Sequence, residues 1–428
     1  MTARCHVSLS FLLATALFLT HAPSLSAAPS INRVAYIDRA GDLYTIRPDG
    51  TGRQKMASGE MLQQASFSPR SVQRSRDFYS WPAWSPDGQR LASFRVELSG
   101  GQLTDGLYIF DALSARILHA YKEPGLQPIY AYWSPTSQQL GVLLGGRGPF
   151  SLNLWPPSSG QRPQRVAQGA PFYFHWRADG QAVLTHTGGN RGGGAGPAIS
   201  VVTIPTGERH LLSRSPSVFG PPSWSFDGKW LAYGNTREGQ EKAALMIAAG
   251  DGSQPESVAL VPKRMALAWS PTQHLLAIAT TSFIRAPLFE EVRLFDVGSG
   301  VLHPLIQEPL AAFFWSPDGT RILYAKRNPD RAHWTWVVVD VHSRTSFPVV
   351  NFIPSRPQIL VFQYFDQYAL SHRLWSPDGQ FFTFSGHTDP NPSPGPGIRS
   401  PSVYIVPVTK DATPQRLSDG HIAFWSPQ

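Results

Sequence analysis

Three histidines are the residues of this chain whose type and position could support acid–base chemistry. His175, His372 and His421 each lie on or beside a strand that ends in tryptophan. Imidazole titrates near neutral pH, so clustering of these histidines in a pocket with a carboxylate such as Asp366 would indicate an enzyme site. A histidine beside a core tryptophan is more often a packed side chain, and we therefore assign no catalytic residue.

The recurring aspartates are better explained by turns than by metal binding. Asp-Gly tolerates positive φ, and the Asp side chain bonds to its own backbone, so a carboxylate in this position closes a turn. The aspartates concerned are Asp87, Asp179, Asp227, Asp318 and Asp378. No His-x-x-x-His or Glu-x-x-His pair suggests zinc, and the glycine tract 188–194 lacks the Lys-Ser/Thr of a phosphate loop. We expect neither a metal nor another cofactor.

A set of arginines is the other group that could bind a ligand. One arginine lies at or within each predicted connection between a second and a third strand, and we call the set the basic rim. It comprises Arg39, Arg95, Arg147, Arg191, Arg237, Arg285, Arg327 and Arg399. Such connections emerge on one face of a propeller, where a basic rim would attract an acidic protein surface, an anionic glycan or phospholipid head groups. Exposed loops rich in arginine would produce some such pattern without any binding role.

A repeated sequence motif, here called the phrase, predicts the strands that must position these residues. It begins with Trp, usually reads Trp-Ser-Pro, often closes in Asp-Gly, and recurs about every 50 residues, which is typical of a repeat architecture. Its tryptophans are Trp84, Trp133, Trp176, Trp224, Trp269, Trp315, Trp375 and Trp425. An apolar strand precedes the Trp, and further strands follow the turn. Four strands per unit predict a blade of a β-propeller.

The two chain ends predict how the repeat closes. Residues 33–56 carry a second, third and fourth strand without a Trp strand before them, and residues 421–425 supply a Trp strand at the end of the chain. Joining them completes one blade and protects the exposed edges. The fold class is therefore all-β, an eight-bladed β-propeller closed by the N- and C-terminal strands. Seven blades are the alternative, because the aromatic stretch 352–368 makes one interval long; we interpret that stretch as additional core.

The phrase Trp-Ser-Pro-Asp-Gly, followed by two residues and an apolar strand, resembles the repeat of the periplasmic TolB propeller and of the propellers of prolyl oligopeptidase-type peptidases. The resemblance implies the fold and a TolB-like protein without the TolB N-terminal domain, because the blades begin almost directly after the leader. The peptidases use a Gly-x-Ser-x-Gly elbow in a separate domain, and this sequence contains no such motif. Inherited peptidase activity is therefore not expected.

The first residues predict export. Arg4, an apolar stretch over 7–19 and small residues over 24–28 are typical of a signal peptide, so we divide the chain into a leader, 1–27, and a β-propeller, 28–428. A retained membrane anchor is the alternative, although the stretch is shorter than the roughly 20 residues that a span needs. The single cysteine, Cys5, would leave with the leader. We expect a periplasmic or secreted monomer without a membrane span.

These observations favour an extracytoplasmic binding scaffold whose loops bind an envelope protein or an anionic ligand. The resemblance implies an envelope protein at the propeller mouth, and the formal charge of +8 fits an acidic partner. Nucleic acid is not expected, because an exported chain does not meet it and no nucleic-acid-binding motif is present. The alternative is an enzyme, a polysaccharide lyase or hydrolase with a site at the channel mouth that uses His175, His372 or His421.

Overall fold

The structure, a computed structural model, describes residues 31–427 except for 60–75, 100, 101, 124, 126, 147, 171, 189–195, 218, 219, 237, 238, 284, 285, 331, 332 and 389–399. The predicted leader, 1–27, lies outside the described residues. The regular structure of the described chain consists mainly of antiparallel strands, which confirms the all-β fold class. No helix among the described residues is long and apolar enough to cross a membrane.

Strands of the first half of the chain follow one another at short intervals. In chain order they are β1 (Val34–Ile37), β2 (Leu43–Ile46), β3 (Gln54–Ala57), β4 (Arg76–Trp84), β5 (Arg90–Ser99), β6 (Gln102–Asp111), β7 (Ile117–Lys122), β8 (Gln127–Trp133), β9 (Leu140–Gly145), β10 (Phe150–Trp155), β11 (Gln164–Gly169), β12 (Phe172–Trp176), β13 (Ala182–Thr187), β14 (Ala198–Thr203) and β15 (Arg209–Ser213). A short 3-10 helix, Pro157–Ser159, separates β10 from β11.

The second half continues the series and contains the two α-helices. Its elements are β16 (Ser223–Trp224), β17 (Trp230–Asn235), β18 (Lys242–Ala249), β19 (Glu256–Pro262), β20 (Arg264–Trp269), β21 (Leu275–Thr281), β22 (Glu291–Asp296), β23 (Val301–Ile306), β24 (Leu310–Trp315), β25 (Arg321–Arg327), β26 (Trp334–Asp340), β27 (Ser346–Pro354), α1 (Arg356–Gln363), α2 (Phe365–Ser371), β28 (Phe381–His387), β29 (Ser402–Pro407), β30 (Gln415–Asp419) and β31 (Ile422–Trp425).

The strands form sheets of four consecutive antiparallel members, in the order that the sequence predicts. Five sheets of this kind are β4–β7, β8–β11, β12–β15, β16–β19 and β20–β23. A sixth has the order β3-β2-β1-β31, so its fourth strand comes from the other end of the described chain. In it, Val34 lies opposite Trp425 and Ile37 lies opposite Ile422. The predicted pairing of the two terminal segments is therefore present.

The last sheet departs from this regularity. It has seven strands, β24 to β30, because Ile353 and Pro354 of β27 pair with His387 and Gly386 of β28. The segment that ends in Trp375 is not a strand of this sheet and makes only isolated bridges among the described residues, Arg373 to Trp425 and Trp375 to Phe382. The two helices precede this segment and take the place of a regular first strand.

The Ser-Pro-Asp-Gly phrase forms the predicted turn through side-chain hydrogen bonds. In the turn after β24, the Ser316 hydroxyl donates to the Asp318 carboxylate at 2.6 Å and accepts the Arg321 backbone N–H at 2.9 Å. Asp318 also accepts the N–H of Thr320 at 3.0 Å. Gly319 has φ +70°, which an L side chain rarely adopts, and this explains glycine after the aspartate.

Six of the eight motif tryptophans link their unit to the preceding one through the indole N–H, whereas Trp224 donates to Gly250 and Trp425 donates to Asn32. Trp133 donates to the carbonyl of Ala83, the residue before Trp84, at 3.1 Å. Trp176, Trp269, Trp315 and Trp375 donate in the same way to Tyr132, Ser223, Ala268 and Phe314. Trp84 donates to Phe424, the residue before Trp425, at 3.2 Å. The first and last copies of the phrase are thus joined by the same bond as the internal ones.

The aromatic stretch 352–368 is core, as predicted, and most of it is helical. Ser355 caps α1 by accepting the N–H of Gln358, and Pro357 occupies the first turn, where its missing N–H costs nothing. Helix α2 contacts β8, β12, β20 and β24, strands from four different sheets. Phe365 is buried and its ring lies 4.8 Å from that of Phe313. Helix α2 therefore packs against the first strands of four sheets, whereas α1 contacts β24 and β28.

Candidate functional site

A cavity of about 570 Å³ lies among the Trp-Ser-Pro turns, and we call it the tryptophan cavity. Its wall consists of side chains from five sheets, those that contain β8, β12, β16, β20 and β24, and the C-terminal end of α2 also contributes. Aromatic residues that line it are Tyr132, Trp176, Trp224, Phe226, Trp269, Phe313, Phe314, Trp315 and Trp375. The polar lining includes His175, His372 and the exposed Arg373. Arg373 is the one Lys, Arg, Asp or Glu among the described lining residues.

His175 is held inside the wall of this cavity. Its Nδ1 accepts the backbone N–H of Trp224 at 3.0 Å, and its ring stacks near that of Tyr132. Burial lowers the pKa of His175 to about 3, so the imidazole is neutral at physiological pH. Because the hydrogen bond uses the Nδ1 lone pair, the proton is on Nε2. The hydrogen bond holds β16 against β12, and at physiological pH no imidazolium is present to act as an acid.

His372 follows α2 and is equally buried. Its Nδ1 lies 2.5 Å from the hydroxyl of Ser371, and its ring centroid lies 4.4 Å from that of Phe424. Burial lowers the pKa of His372 to about 3. Its Nε2 is buried and has no hydrogen-bond partner among the described residues. His175 and His372 therefore share one cavity as neutral side chains.

The third histidine does not belong to the tryptophan cavity. His421 precedes β31, and its carbonyl accepts the hydroxyls of Ser355 and Ser385 at 2.6 and 2.7 Å. Burial lowers the pKa of His421, partly opposed by the negative charge of Asp38. The described structure consequently does not bring the three histidines into one cluster.

Asp366 is also separate from the histidines of the cavity. It lies in the first turn of α2, whereas His372 follows the last turn, and it is absent from the described cavity lining. Burial raises the pKa of Asp366 to about 7, and the nearby positive charge of Arg264 acts in the opposite direction. Burial raises the pKa of Tyr173, and the negative charge of Asp366 acts in the same direction. The enzyme arrangement considered from the sequence, a histidine beside Asp366 in a pocket, is not formed.

The repeated aspartates act as turn residues, as Asp318 illustrates above. In the corresponding turns Asp87, Asp227 and Asp378 accept a hydroxyl proton from the preceding motif serine. Asp179 instead accepts from Arg177 and from the N–H of Gln181. Among the residues that the structure describes, no group of three His, Cys, Asp or Glu side chains is arranged to hold a metal ion.

The basic rim can be located only in part. Five of its members lie outside the described residues: Arg147, Arg191, Arg237, Arg285 and Arg399. Arg39 is exposed in the connection between β1 and β2. Arg95 lies within β5 and not in the connection to β6, contrary to the prediction. It forms a double contact with Asp77 and an ion pair with Glu97 at 3.1 Å, so acidic neighbours offset its charge. Arg327 ends β25, where its guanidinium lies 5.6 Å from the Trp334 ring.

The sequence did not predict a second cavity. It has about 630 Å³, lies beside α1, and is lined by Arg264 and Arg327. Arg327 belongs to the basic rim, but Arg264 opens a first strand and carried no sequence signal that set it apart from other arginines. We call this cavity the arginine pocket.

The comparisons with known proteins concern the fold. No family model matches the chain. The uncharacterised protein Atu1656 of Agrobacterium fabrum is 24% identical over 314 residues, which cover 68% of this chain and 99% of that protein. The solved structure of an oligogalacturonate lyase in complex with manganese has a TM-score of 0.50 at 14% identity and covers 90% of this chain and 96% of its own.

Two further solved structures are similar. A eukaryotic initiation factor has a TM-score of 0.50 at 14% identity and covers 92% of this chain and 98% of its own. TolB from Acinetobacter baumannii has a TM-score of 0.40 at 14% identity and covers 79% and 83%. The chain has a TolB-like β-propeller fold. At these identities the similarity extends to the fold and not to an activity.

Proposed function

We propose that the mature chain, 28–428, is an extracytoplasmic binding scaffold that presents the loops of one propeller mouth to an envelope protein or an anionic ligand. The observation that carries this proposal is the separation of the titratable groups. His175 and His372 are neutral and packed, His421 lies outside the tryptophan cavity, and Asp366 is not among the described residues that line it. A site without an assembled acid and base is better suited to binding than to catalysis.

The scaffold we propose is an eight-bladed ring, exported behind the leader 1–27 and monomeric in the periplasm or outside the cell. The pairing of β1 with β31 and the bond from Trp84 to Phe424 support ring closure. We count Trp375 with β28, β29 and β30 as one blade, although its first segment is irregular. The seven-stranded sheet then represents two blades joined at β27 and β28.

In such a ring the connections between second and third strands share one face, so the basic rim would surround a mouth and attract an acidic partner. The test is retention of partners from an envelope extract by the mature protein. Reversal of Arg147, Arg191 and Arg237 to Glu should abolish retention of acidic proteins. The matched control reverses Arg116, Arg162 and Arg344, three exposed arginines in connections between third and fourth strands, which lie on the opposite face.

Equal retention by both triple variants and the unaltered protein would contradict the rim proposal. The thermal melt should change little in either variant, because exposed charges contribute little to stability. A melt that falls only in the rim variant would mean that these arginines support the fold instead.

A polysaccharide lyase is the second candidate, and one observation favours it. His372 and Arg373 both line the tryptophan cavity, and the buried Nε2 of His372 has no hydrogen-bond partner among the described residues, so an acidic sugar bound in the cavity would lie beside both residues. The assay is ultraviolet absorbance of an unsaturated product from oligogalacturonate, with His372→Gln as the variant. Product formed by the unaltered chain and lost in His372→Gln would replace the scaffold proposal with this one.

A further inference from the structure

The tryptophan cavity contains one charged side chain. Arg373 is exposed and lines the cavity, and in the described part of the chain no carboxylate contacts its guanidinium. Its Nη1 donates to the backbone carbonyl of Pro427 at 3.3 Å. Because a guanidinium has five N–H donors, this single bond leaves donors available to a ligand. The surrounding protein lowers the pKa of Arg373, as expected for a cation in a concave part of the surface, where an anion is bound more strongly than in open solvent.

Tyr132 lies near this guanidinium. It also lines the cavity, and the positive charge of Arg373 opposes the rise in the pKa of the phenol that burial causes. The tyrosine in turn acts on the pKa of Arg373. No side chain that the structure describes hydrogen-bonds to the Tyr132 hydroxyl. A phenol and a guanidinium can both donate, so the two residues together suit an anion that accepts hydrogen bonds from both.

Phe226 adds an exposed ring to the aromatic wall of the cavity. It is 44% exposed, whereas the motif tryptophans of the lining are buried or half-buried. The turn that contains Phe226 does not require phenylalanine, because the Gly228 N–H donates to the Ser225 carbonyl at 2.9 Å, the same bond that closes the turn after β24. One face of the ring stacks near His274 at 5.4 Å, and the exposed part remains available to a bound group. Six of the eight copies of the phrase have proline in this position: Pro86, Pro135, Pro271, Pro317, Pro377 and Pro427.

We propose that the tryptophan cavity binds a small aromatic monocarboxylate, with the carboxylate on Arg373 and Tyr132 and the rings against the aromatic wall that includes Phe226. A guanidinium binds a carboxylate through parallel N–H···O bonds, and aromatic pairs gain free energy beyond the area that they bury. One positive side chain offsets one negative charge, which favours a carboxylate over a phosphate dianion. The volume of about 570 Å³ is in the range of small-molecule sites.

This proposal goes beyond the scaffold role and does not depend on an envelope partner. The cavity lies at the Trp-Ser-Pro turns, which connect first and second strands, whereas the basic rim is predicted in the connections between second and third strands. In an antiparallel sheet these two connections lie at opposite ends of the second strand. A ligand in the tryptophan cavity would therefore leave the rim available to a partner.

The test is calorimetric titration of the mature protein with 2-naphthoate. 2-Naphthamide is the uncharged probe of the same shape, and galacturonate is a carboxylate without an aromatic ring. Naphthoate should bind, and the other two should bind at least about tenfold more weakly. Arg373→Gln should weaken naphthoate binding at least about tenfold, Arg373→Lys by less, and Tyr132→Phe severalfold. Arg116→Gln, which changes an exposed arginine outside the cavity lining, is the matched control and should bind as the unaltered protein does.

Phe226→Pro tests the aromatic wall without a change in the turn. Proline occupies this position in six copies of the phrase, so the variant should melt like the unaltered protein. It should bind naphthoate severalfold more weakly, because the exposed ring is removed.

Three results would overturn the proposal: no naphthoate binding, equal binding of naphthamide, or unchanged binding in Arg373→Gln. Galacturonate binding as tight as that of naphthoate would also overturn it and would assign the cavity to an acidic sugar. If Arg373→Gln fails to fold, Tyr132→Phe and Phe226→Pro decide the question, and unchanged binding in both would contradict the site.

The reversal of Arg147, Arg191 and Arg237 separates this proposal from the scaffold proposal. It should abolish retention of the acidic partner while leaving naphthoate binding intact. Loss of naphthoate binding in that variant would place the site on the basic rim and not in the tryptophan cavity.

Discussion

Truncation of Trp425 to alanine should destabilise the fold as strongly as truncation of an internal motif tryptophan. Trp425 is 1% exposed and lies in the cluster that contains Val34, Tyr36, Val403 and Ile405. Its indole N–H donates to Asn32 at 2.6 Å. The side chain therefore joins the end of the described chain both to its beginning and to β29.

The expected loss can be estimated from these contacts. Removal of a buried Trp side chain costs about 3–5 kcal/mol, and loss of its hydrogen bond adds about 1 kcal/mol. The unfolding entropy of a unit of about 400 residues is about 0.8 kcal/mol per kelvin, at about 2.1 cal/mol per kelvin per residue. The midpoint of thermal unfolding should therefore fall by about 5–7 °C.

Far-UV circular dichroism is the assay, because it does not depend on tryptophan fluorescence. Trp133→Ala is the matched control, since Trp133 is 2% exposed and makes one indole hydrogen bond of 3.1 Å. Deletion of residues 421–428 removes all of β31 and should cost more than either substitution. If Trp425→Ala melts like the unaltered protein while Trp133→Ala does not, the terminal segments do not pair and the closure argument is refuted.

Two further predictions concern a buried acid and a turn. The pKa of Asp366 is about 7 in the fold and about 3.9 when unfolded, so the protonated carboxyl is favoured and stability is lost as the pH rises from about 4 to about 7. Asp366→Asn should therefore raise the free energy of unfolding at pH 8, by up to about 4 kcal/mol at about 1.4 kcal/mol per pKa unit, and should change it little at pH 4. Melting temperatures measured at the two pH values test this, and an equal rise at both would contradict the assignment. Gly319 and Gly88 share φ +70°, but a Cβ at Gly319 would overlap with the Thr272 hydroxyl, whereas at Gly88 the nearest atom is 3.9 Å away. Denaturant unfolding should show Gly319→Ala to be more destabilising than Gly88→Ala, by about 1 kcal/mol or more, and equal effects would refute the role of this contact.

The repeat was predictable because its chemistry is local. Ser316, Asp318 and Gly319 form their turn from neighbouring residues, so the phrase is sufficient to place a turn between two strands. The pairing of the chain ends was predictable from the number of strands in each unit, because residues 33–56 contain a second, a third and a fourth strand but no first one. The predicted number of blades stays a prediction, since the unit at Trp375 has only isolated bridges in place of a first strand.

The helices and the arginine pocket were not predictable by the same reasoning. The stretch 352–368 was interpreted by its aromatic content alone, although Ser355 before Pro357 is an available sign of a helix start. The hydrogen-bond partners of Arg264 depend on which side chains from other sheets lie near it. The spacing of the repeat does not contain this information. The ion pair between Arg95 and Asp77 shows the same limit. The basic rim is predicted from the positions of arginines in the sequence, and these positions do not indicate that Asp77 lies beside Arg95.

The measurement that tests the scaffold proposal most directly is the salt dependence of partner binding. The mature protein and the Arg147, Arg191 and Arg237 reversal variant are each titrated with an acidic envelope protein retained by the unaltered chain, at low and at physiological ionic strength. The account predicts affinity that falls with salt for the unaltered protein and weak, nearly salt-independent binding for the variant. Equal affinities and equal salt dependence in the two proteins would contradict it.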